Sequence, residues 1–146
     1  TKMKTTLAIS SGIAISLLLL FSPRILAADL KITIEDIVEQ EGHIIIAVLS
    51  SEQQFGDEAA ASASLITAPL GETTSITLRD VNPGFYAIRV LHDVNGNNKM
   101  DTNFVGMPKE PWGFSNNAKG KFGPPKWSAA RFEIKSDTQA TINLNR

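Results

Sequence analysis

Short segments of alternating apolar and polar residues constrain the fold of this chain more than any other feature. Residues 30–35 place leucine and isoleucine at every second position, the pattern of a strand buried on one face. Residues 43–49 form a β-branched run, HIIIAVL, which predicts a central strand. Further strands are predicted at residues 59–67, 73–78, 85–91, 130–134 and 140–144. Seven short strands separated by turns predict an all-β fold, an antiparallel seven-stranded β-sandwich.

Residues 92–129 interrupt this pattern with 38 residues that show no regular periodicity. A segment of this length in a compact domain is usually functional, disordered or misassigned. Large aromatic side chains favour burial over disorder, and the segment has five of them: Phe104, Trp112, Phe114, Phe122 and Trp127. We therefore expect one long ordered loop that packs against an end or a face of the sandwich.

Residues 1–28 have the layout of a secretory signal peptide. Two lysines precede an uncharged apolar stretch at residues 7–21, and the segment ends in the small residues Ala27 and Ala28. An uncleaved membrane anchor is the alternative, because the uncharged run approaches the roughly 20 residues of a spanning helix. Removal of the signal peptide after Ala27 or Ala28 predicts a single domain at residues 29–146 and a periplasmic or secreted location.

Composition excludes several kinds of chemistry. The chain has no cysteine, which excludes disulfides, thiolate zinc sites and cysteine nucleophiles. Residues 29–93 contain eleven acidic and three basic residues, whereas residues 94–146 contain four acidic and eight basic ones. This division indicates an interaction surface, unless the two halves interleave and their charges mix. Because an exported, acidic domain is a poor ligand for nucleic acid, we do not expect that partner.

The stretch LHDVNGNNKMDTNFVG, residues 91–106, has oxygen-bearing groups at alternating positions. The first, third, fifth, seventh and ninth positions of a calcium-type loop are matched by Asp93, Asn95, Asn97, the carbonyl of Lys99, and Asp101. The sixth position holds Asn98, which tolerates the left-handed conformation, but Phe104 replaces the bidentate acid at the twelfth. The sequence predicts either a weak calcium site or a turn in which these side chains bind loop amides without metal.

The stretch PWGFSNNAKGKFGPPKW, residues 111–127, combines aromatic rings, amides and lysines. Rings and amides can hold a sugar, and lysines can hold an anionic polymer. The candidate ligand-binding residues are Trp112, Asn116, Asn117, Lys119 and Lys121. The alternative is a cluster of rings that fastens the segment to the sandwich while the lysines stay in solvent, formed by Trp112, Phe114, Phe122 and Trp127.

Catalytic residue types are present without a catalytic pattern. His92, Asp93 and Ser115 could supply a hydrolytic triad, but no nucleophile elbow surrounds Ser115. A triad would require Ser115 Oγ to lie about 3 Å from His92. We therefore expect a non-catalytic binding or structural module rather than an enzyme. The alternative is a hydrolase that acts on envelope material through these three residues.

Four motifs lie between Leu78 and Ile134: N-P-G-F-Y-A at 82–87, H-D-x-N-G-N at 92–97, G-F-S-N-N-A at 113–118 and F-G-P-P at 122–125. With them, the segment resembles a family of exported bacterial proteins known only as a domain of unknown function, which implies no activity. The P-G-x-Y turn and the next strand are also similar to transthyretin-like and collagen-adhesin B-type modules.

Those modules are mostly stalks, regulatory domains or binding domains with an immunoglobulin-like or transthyretin-like sandwich. The resemblance therefore favours a binding or structural role over an enzyme. The partner that we expect is an envelope component, which is a glycan, an anionic polymer or a protein. Membrane contact is expected only through an uncleaved signal segment.

Overall fold

The computed structural model describes residues 26–146, so the predicted signal peptide lies almost entirely outside the described residues. The strands are β1 (Ala28–Glu35), β2 (His43–Leu49), β3 (Ala63–Thr67), β4 (Thr74–Val81), β5 (Gly84–Asp93), β6 (Trp112–Phe114), β7 (Phe132–Ile134) and β8 (Thr138–Asn143). They are joined by two short helices, α1 (Glu52–Phe55) and α2 (Trp127–Ala130), and by a 3₁₀ turn at Ser115–Asn117. Within residues 26–146, no helix has the length and apolar character needed to cross a membrane.

These eight strands form two sheets. The first sheet has the order β4, β1, β8. The second has the order β3, β2, β5, β6, and β7 pairs with the first residues of β5. The all-β prediction is confirmed, whereas the prediction of seven antiparallel strands is wrong in two respects. The described residues contain eight strands, and β1 and β8 are parallel.

Both differences have a physical reason. The parallel pair runs from Leu30 opposite Thr138 to Glu35 opposite Asn143, and it joins the first and last strands of the described chain. The rest of the domain serves as the long connection that parallel neighbours need, so no local pattern reveals the pair. β6 has only three residues, one of them glycine, and therefore shows no alternation.

One hydrophobic core is shared by the two sheets, which gives a β-sandwich-like fold. The inward residues alternate along each strand because successive side chains point to opposite faces. The buried core includes Leu30, Ile32 and Ile34 of β1, Ile44, Ile46 and Val48 of β2, and Ile88 and Val90 of β5. His92 continues this inward row of β5 at its carboxyl end, where its side chain is buried as well.

A second, smaller cluster lies on the opposite face of β5. Its buried members are Ala87, Phe114 and Ala130. The ring of Phe55 in α1 lies 5.6 Å from that of Phe114 and 5.9 Å from that of Trp127, measured between centroids. This cluster fixes the middle and the end of the segment that was expected to be one loop, through Phe114 and Trp127. That segment is therefore two loops, residues 94–111 and residues 118–126, separated by β6 and the 3₁₀ turn.

Candidate functional site

Asp93, the last residue of β5, shapes the start of the 94–111 loop from a buried position. Its Oδ1 accepts hydrogen bonds from the backbone N–H groups of Gly96 at 2.9 Å and Asn97 at 3.1 Å. Its Oδ2 accepts one from the N–H of Asn98 at 2.6 Å. Asn98 has a φ of 62°, the left-handed conformation that asparagine tolerates. One carboxylate thus orients three successive amides of the turn.

The neighbouring strand holds the same carboxylate. His43 is the register partner of Asp93, and its Nε2 lies 3.2 Å from Asp93 Oδ2 and 3.0 Å from Asn98 Oδ1. Both neighbours are oxygen atoms, so a proton on Nε2 can be donated to either. Gly42 precedes His43 with a φ of 70°, and a Cβ there would collide with the carbonyl oxygen of Asp93. The start of β2 therefore packs closely against the start of the loop.

Asp101 gathers the two asparagines of the alternating motif. Its carboxylate accepts hydrogen bonds from Nδ2 of Asn95 and, at 3.0 and 3.1 Å, from Nδ2 of Asn97. Asn95 Oδ1 accepts from the N–H of Asn97, and Asn97 Oδ1 accepts from the N–H of Lys99. The structure thus brings together the side chains that the sequence singled out, and Lys99 joins them through its backbone N–H.

Glu110 closes the base of the loop, a role that the sequence reasoning missed. Its buried carboxylate accepts from the N–H of Val94 at 3.0 Å and from the N–H of Asp101 at 3.1 Å. The only signal was a lone acid between Lys109 and a proline. Among residues 26–146, no group of three or more histidine, cysteine, aspartate or glutamate side chains is arranged to hold a metal ion.

The far end of the loop is a tight turn with an apolar surface, which we call the apolar tip (Phe104, Val105 and Met107). Asn103 Oδ1 accepts from the N–H groups of Val105 and Met107, each at 3.0 Å. The backbone of Asn103 also pairs with Met107 and Gly106 at 2.9 Å. These bonds leave Phe104 99%, Val105 64% and Met107 60% exposed.

The S-N-N motif after β6 uses its polar groups within the fold. Asn116 Nδ2 donates to the carbonyls of Ala129 and Arg131, at 3.1 and 2.9 Å. Asn117 exchanges two hydrogen bonds with Asn143, one through Oδ1 and one through Nδ2. Both asparagines have positive φ, 58° and 49°. They link the 3₁₀ turn to the chain after α2 and to β8.

The other candidate ligand-binding residues differ in burial: one packs in the ring cluster and two are exposed to solvent. Trp112 is half-buried, with its ring 5.8 Å from that of Phe114, as expected for the ring cluster. Lys119 and Lys121 are exposed in the 118–126 loop. Phe122, expected in the same cluster, is instead fully exposed.

The three triad candidates have separate partners. Ser115 is buried. Its Oγ donates a hydrogen bond to the carbonyl of Ala130 at 2.6 Å and accepts one from the N–H of Ile88 at 2.9 Å. His92 Nε2 lies 2.9 Å from the carbonyl oxygen of Glu41, which it can only donate to. His92 Nδ1 is buried and has no partner within the part of the chain that the structure describes. A Ser115–His92 hydrogen bond is therefore not formed among the described residues.

Two charged groups at the edges of this region have shifted pKa values. Burial opposes ionisation of Glu39, but hydrogen bonds from its own backbone and from Arg146 outweigh that effect and hold its pKa below 4.5. Burial lowers the pKa of Arg89 below 12.5, although the carboxylates of Glu58 and Asp57 counteract it. Arg89 Nη2 donates to the carbonyl of Glu58 at 2.9 Å.

The family model for uncharacterized proteins conserved in bacteria, DUF2141, matches residues 32–143. The chain belongs to the DUF2141 family. No curated protein and no solved structure matches it.

The DUF2141 match begins within β1 and ends on the last residue of β8. It therefore includes both sheets, the 94–111 loop with its apolar tip, and the S-N-N turn. The description of the DUF2141 family names no activity.

Proposed function

We propose that this protein is an exported, non-catalytic binding module that acts through the 94–111 loop. The observation that supports this proposal is the apolar tip, which is exposed at the end of a loop with a buried, hydrogen-bonded base. Grouped exposed apolar side chains often mark interaction sites. Binding residues are also commonly found on loops that a stable scaffold positions. The two-sheet core supplies that scaffold, which we propose to be a transthyretin-like sandwich.

The proposed partner is a component of the bacterial envelope, and the proposed location is periplasmic or secreted. Both rest on the signal-peptide pattern of residues 1–28. β1 begins at Ala28, which is buried, so cleavage after Ala27 would keep the whole strand. N-terminal sequencing of the exported protein should find Ala28 as the first residue. A start near Thr1 would contradict the export proposal.

Sedimentation with isolated envelope fractions tests the binding role. The double variant F104S/M107S removes most of the apolar tip, and both side chains are exposed, so the fold should be unaffected. The matched control is F122S, because Phe122 is equally exposed in the other loop. Wild type and F122S should sediment with the envelope, and the double variant should remain in solution. Equal sedimentation of all three proteins would exclude the tip as the binding surface.

The hydrolase alternative uses His92, Asp93 and Ser115. The geometry supports the non-catalytic proposal, because Ser115 Oγ already donates to Ala130 and Asp93 already binds three loop amides. His92 Nε2 lies against the carbonyl oxygen of Glu41 and His92 Nδ1 has no partner, so no hydrogen-bond relay from Asp93 through His92 to Ser115 is formed among residues 26–146. Lys119 and Lys121 remain a second surface on which an anionic polymer could bind, since both are exposed and no acidic residue lies between residues 111 and 132.

Calcium is a second candidate ligand of the 94–111 loop. Asn95, Asn97 and Asp101 converge, and turning the two carboxamides over would present oxygen ligands to calcium in exchange for their hydrogen bonds from the N–H groups of Asn97 and Lys99. With calcium at ten times Kd, the stability gain would be about 1.4 kcal/mol. Melting curves in calcium, magnesium and a chelator test this: calcium alone should raise Tm, and Asp101→Asn should abolish the rise. Identical melting curves in calcium and in chelator would show that the alternating residues shape the turn without binding calcium.

A further inference from the structure

The apolar tip differs from other exposed apolar residues of the protein in its shape. Phe104, Val105 and Met107 lie within four residues on a single turn that projects beyond the Thr102–Pro108 bridge. The nearest exposed charged residues along the chain are cationic: Lys99 precedes the tip and Lys109 follows it. A compact group of exposed apolar side chains with exposed lysines before and after it is suited to binding a surface that is apolar beneath and anionic outside.

We propose that the apolar tip inserts into the surface of a lipid bilayer with anionic headgroups. The inference rests on the proposal that the 94–111 loop is the binding surface, and it names the partner. Peripheral proteins bind bilayers by burying apolar side chains at the boundary between headgroups and acyl chains, assisted by attraction between lysines and anionic lipid.

The area of the tip favours lipid over a protein partner. Three side chains of these sizes present roughly 400 Å², about half of what one partner contributes to a standard protein interface. A convex projection would also require a complementary pocket in a protein, whereas lipid chains rearrange around it. A sugar is disfavoured as well, because the side chains of Val105 and Met107 offer neither a flat ring nor a strong hydrogen-bonding group.

The charges around the tip agree with an anionic surface. Two carboxylates in the same loop balance the two lysines in number, but they are less exposed than the lysines. Asp101 accepts hydrogen bonds from Asn95 and Asn97, and Glu110 is buried at the loop base. The exposed side chains of Lys99 and Lys109 are left to meet the lipid phosphates.

The internal hydrogen bonds of the tip lower the cost of insertion. Asn103 fixes the N–H groups of Val105 and Met107, and Lys109 N–H donates to the carbonyl of Asp101 at 2.8 Å. Backbone groups that reach the hydrocarbon boundary lose water as a hydrogen-bond partner, and this turn supplies several partners itself. The tip is thus already ordered before it meets the bilayer, so little conformational entropy is lost on binding.

Vesicle binding tests the proposal with the folded protein. Wild type, F104S, the triple variant F104S/V105S/M107S and the control F122S are mixed with vesicles of phosphatidylglycerol and phosphatidylethanolamine, and with vesicles of phosphatidylcholine alone. Binding is measured by sedimentation. We expect F104S to weaken binding about tenfold and the triple variant about a hundredfold or more, from the apolar area withdrawn from lipid. Lys109→Ser should weaken binding to the anionic vesicles about fivefold, and F122S should bind as wild type does.

The position of the tip is measured separately with F104W, whose tryptophan emission should shift to shorter wavelength and be quenched by brominated lipid. The proposal is overturned if wild type does not bind vesicles, if the triple variant binds equally well, or if F122S loses as much binding as F104S. If vesicles fail to bind but envelope fractions still bind through the tip, the binding role stands and the lipid partner is wrong. If both assays fail, both proposals are wrong.

Discussion

Asp93 is the residue whose replacement should damage the candidate site most. Its buried carboxylate accepts hydrogen bonds from the N–H groups of Gly96, Asn97 and Asn98 and lies 3.2 Å from His43 Nε2. A hydrogen bond to a charged group contributes roughly 1.5–3 kcal/mol. The three amides belong to exposed residues, so water can replace part of what is lost. We therefore expect Asp93→Ala to lower the free energy of unfolding by about 3–4 kcal/mol.

The isosteric variant Asp93→Asn should cost about half as much, because one oxygen is kept while an NH₂ group faces an N–H donor. Urea unfolding followed by tryptophan fluorescence measures both values, and Trp112 and Trp127 report on the cluster beside the loop. For a domain of this size, the alanine variant should also melt about 12–16 °C lower. All measurements are made with a chelator so that calcium cannot contribute.

The matched control is Asp101→Asn, which removes a half-exposed carboxylate from the same network. Its carboxylate accepts only from the side chains of Asn95 and Asn97, and an amide at position 101 keeps one accepting oxygen, so the loss should stay below about 1 kcal/mol. The reasoning fails if Asp93→Ala unfolds within about 1 kcal/mol of wild type, or if the two aspartate variants are equally destabilised.

Three further outcomes can be measured in the same way. Gly42→Ala should lose about 2 kcal/mol or more, because the added Cβ meets the Asp93 carbonyl at a φ of 70°; an unchanged urea midpoint would contradict this. Ser115→Ala should lose about 1–3 kcal/mol by leaving the Ile88 amide unpaired, while binding to envelope fractions persists; lost binding in a folded variant would argue against a purely structural serine. Glu39 has a lowered pKa in the folded protein, so its stabilising effect is present above pH 4.5 and disappears as the pH falls through the folded value. Glu39→Gln should therefore be at most about 1 kcal/mol less stable at neutral pH and equal to wild type in acid, and a difference that does not depend on pH would be inconsistent with the Arg146 pair.

The strands were predictable where the pattern of side chains is local. β2 was placed at its observed bounds because its β-branched run ends sharply at a serine. The region predicted as a strand at 59–67 forms β3 only from Ala63, since the preceding alanines have no ladder partner in β2. The parallel β1–β8 pair could not be predicted, because it depends on contacts across the whole domain.

The candidate site was predictable only in part for the same reason. Alternation at Asp93, Asn95 and Asn97 indicated a turn or a metal loop, and the left-handed Asn98 agrees with that reading. Nothing in the sequence showed that Glu110, sixteen residues after Val94, would close the loop base. The sequence also did not show which aromatic side chains are buried. Phe104 and Trp112 both lie in the segment without periodicity, but only Trp112 packs in the cluster.

Polar side chains, rather than buried rings, give the 94–111 loop its shape. Asp93 binds the amides that begin it, Glu110 binds the amides at its base, and Asn103 binds those of the tip. Because these bonds satisfy the backbone locally, the loop does not need to bury Phe104 to remain ordered. An apolar side chain that the fold does not require is available for binding. The alternating aspartate and asparagine residues therefore indicate the binding loop even though, in this proposal, the contacts with the partner are made by the apolar residues beyond them.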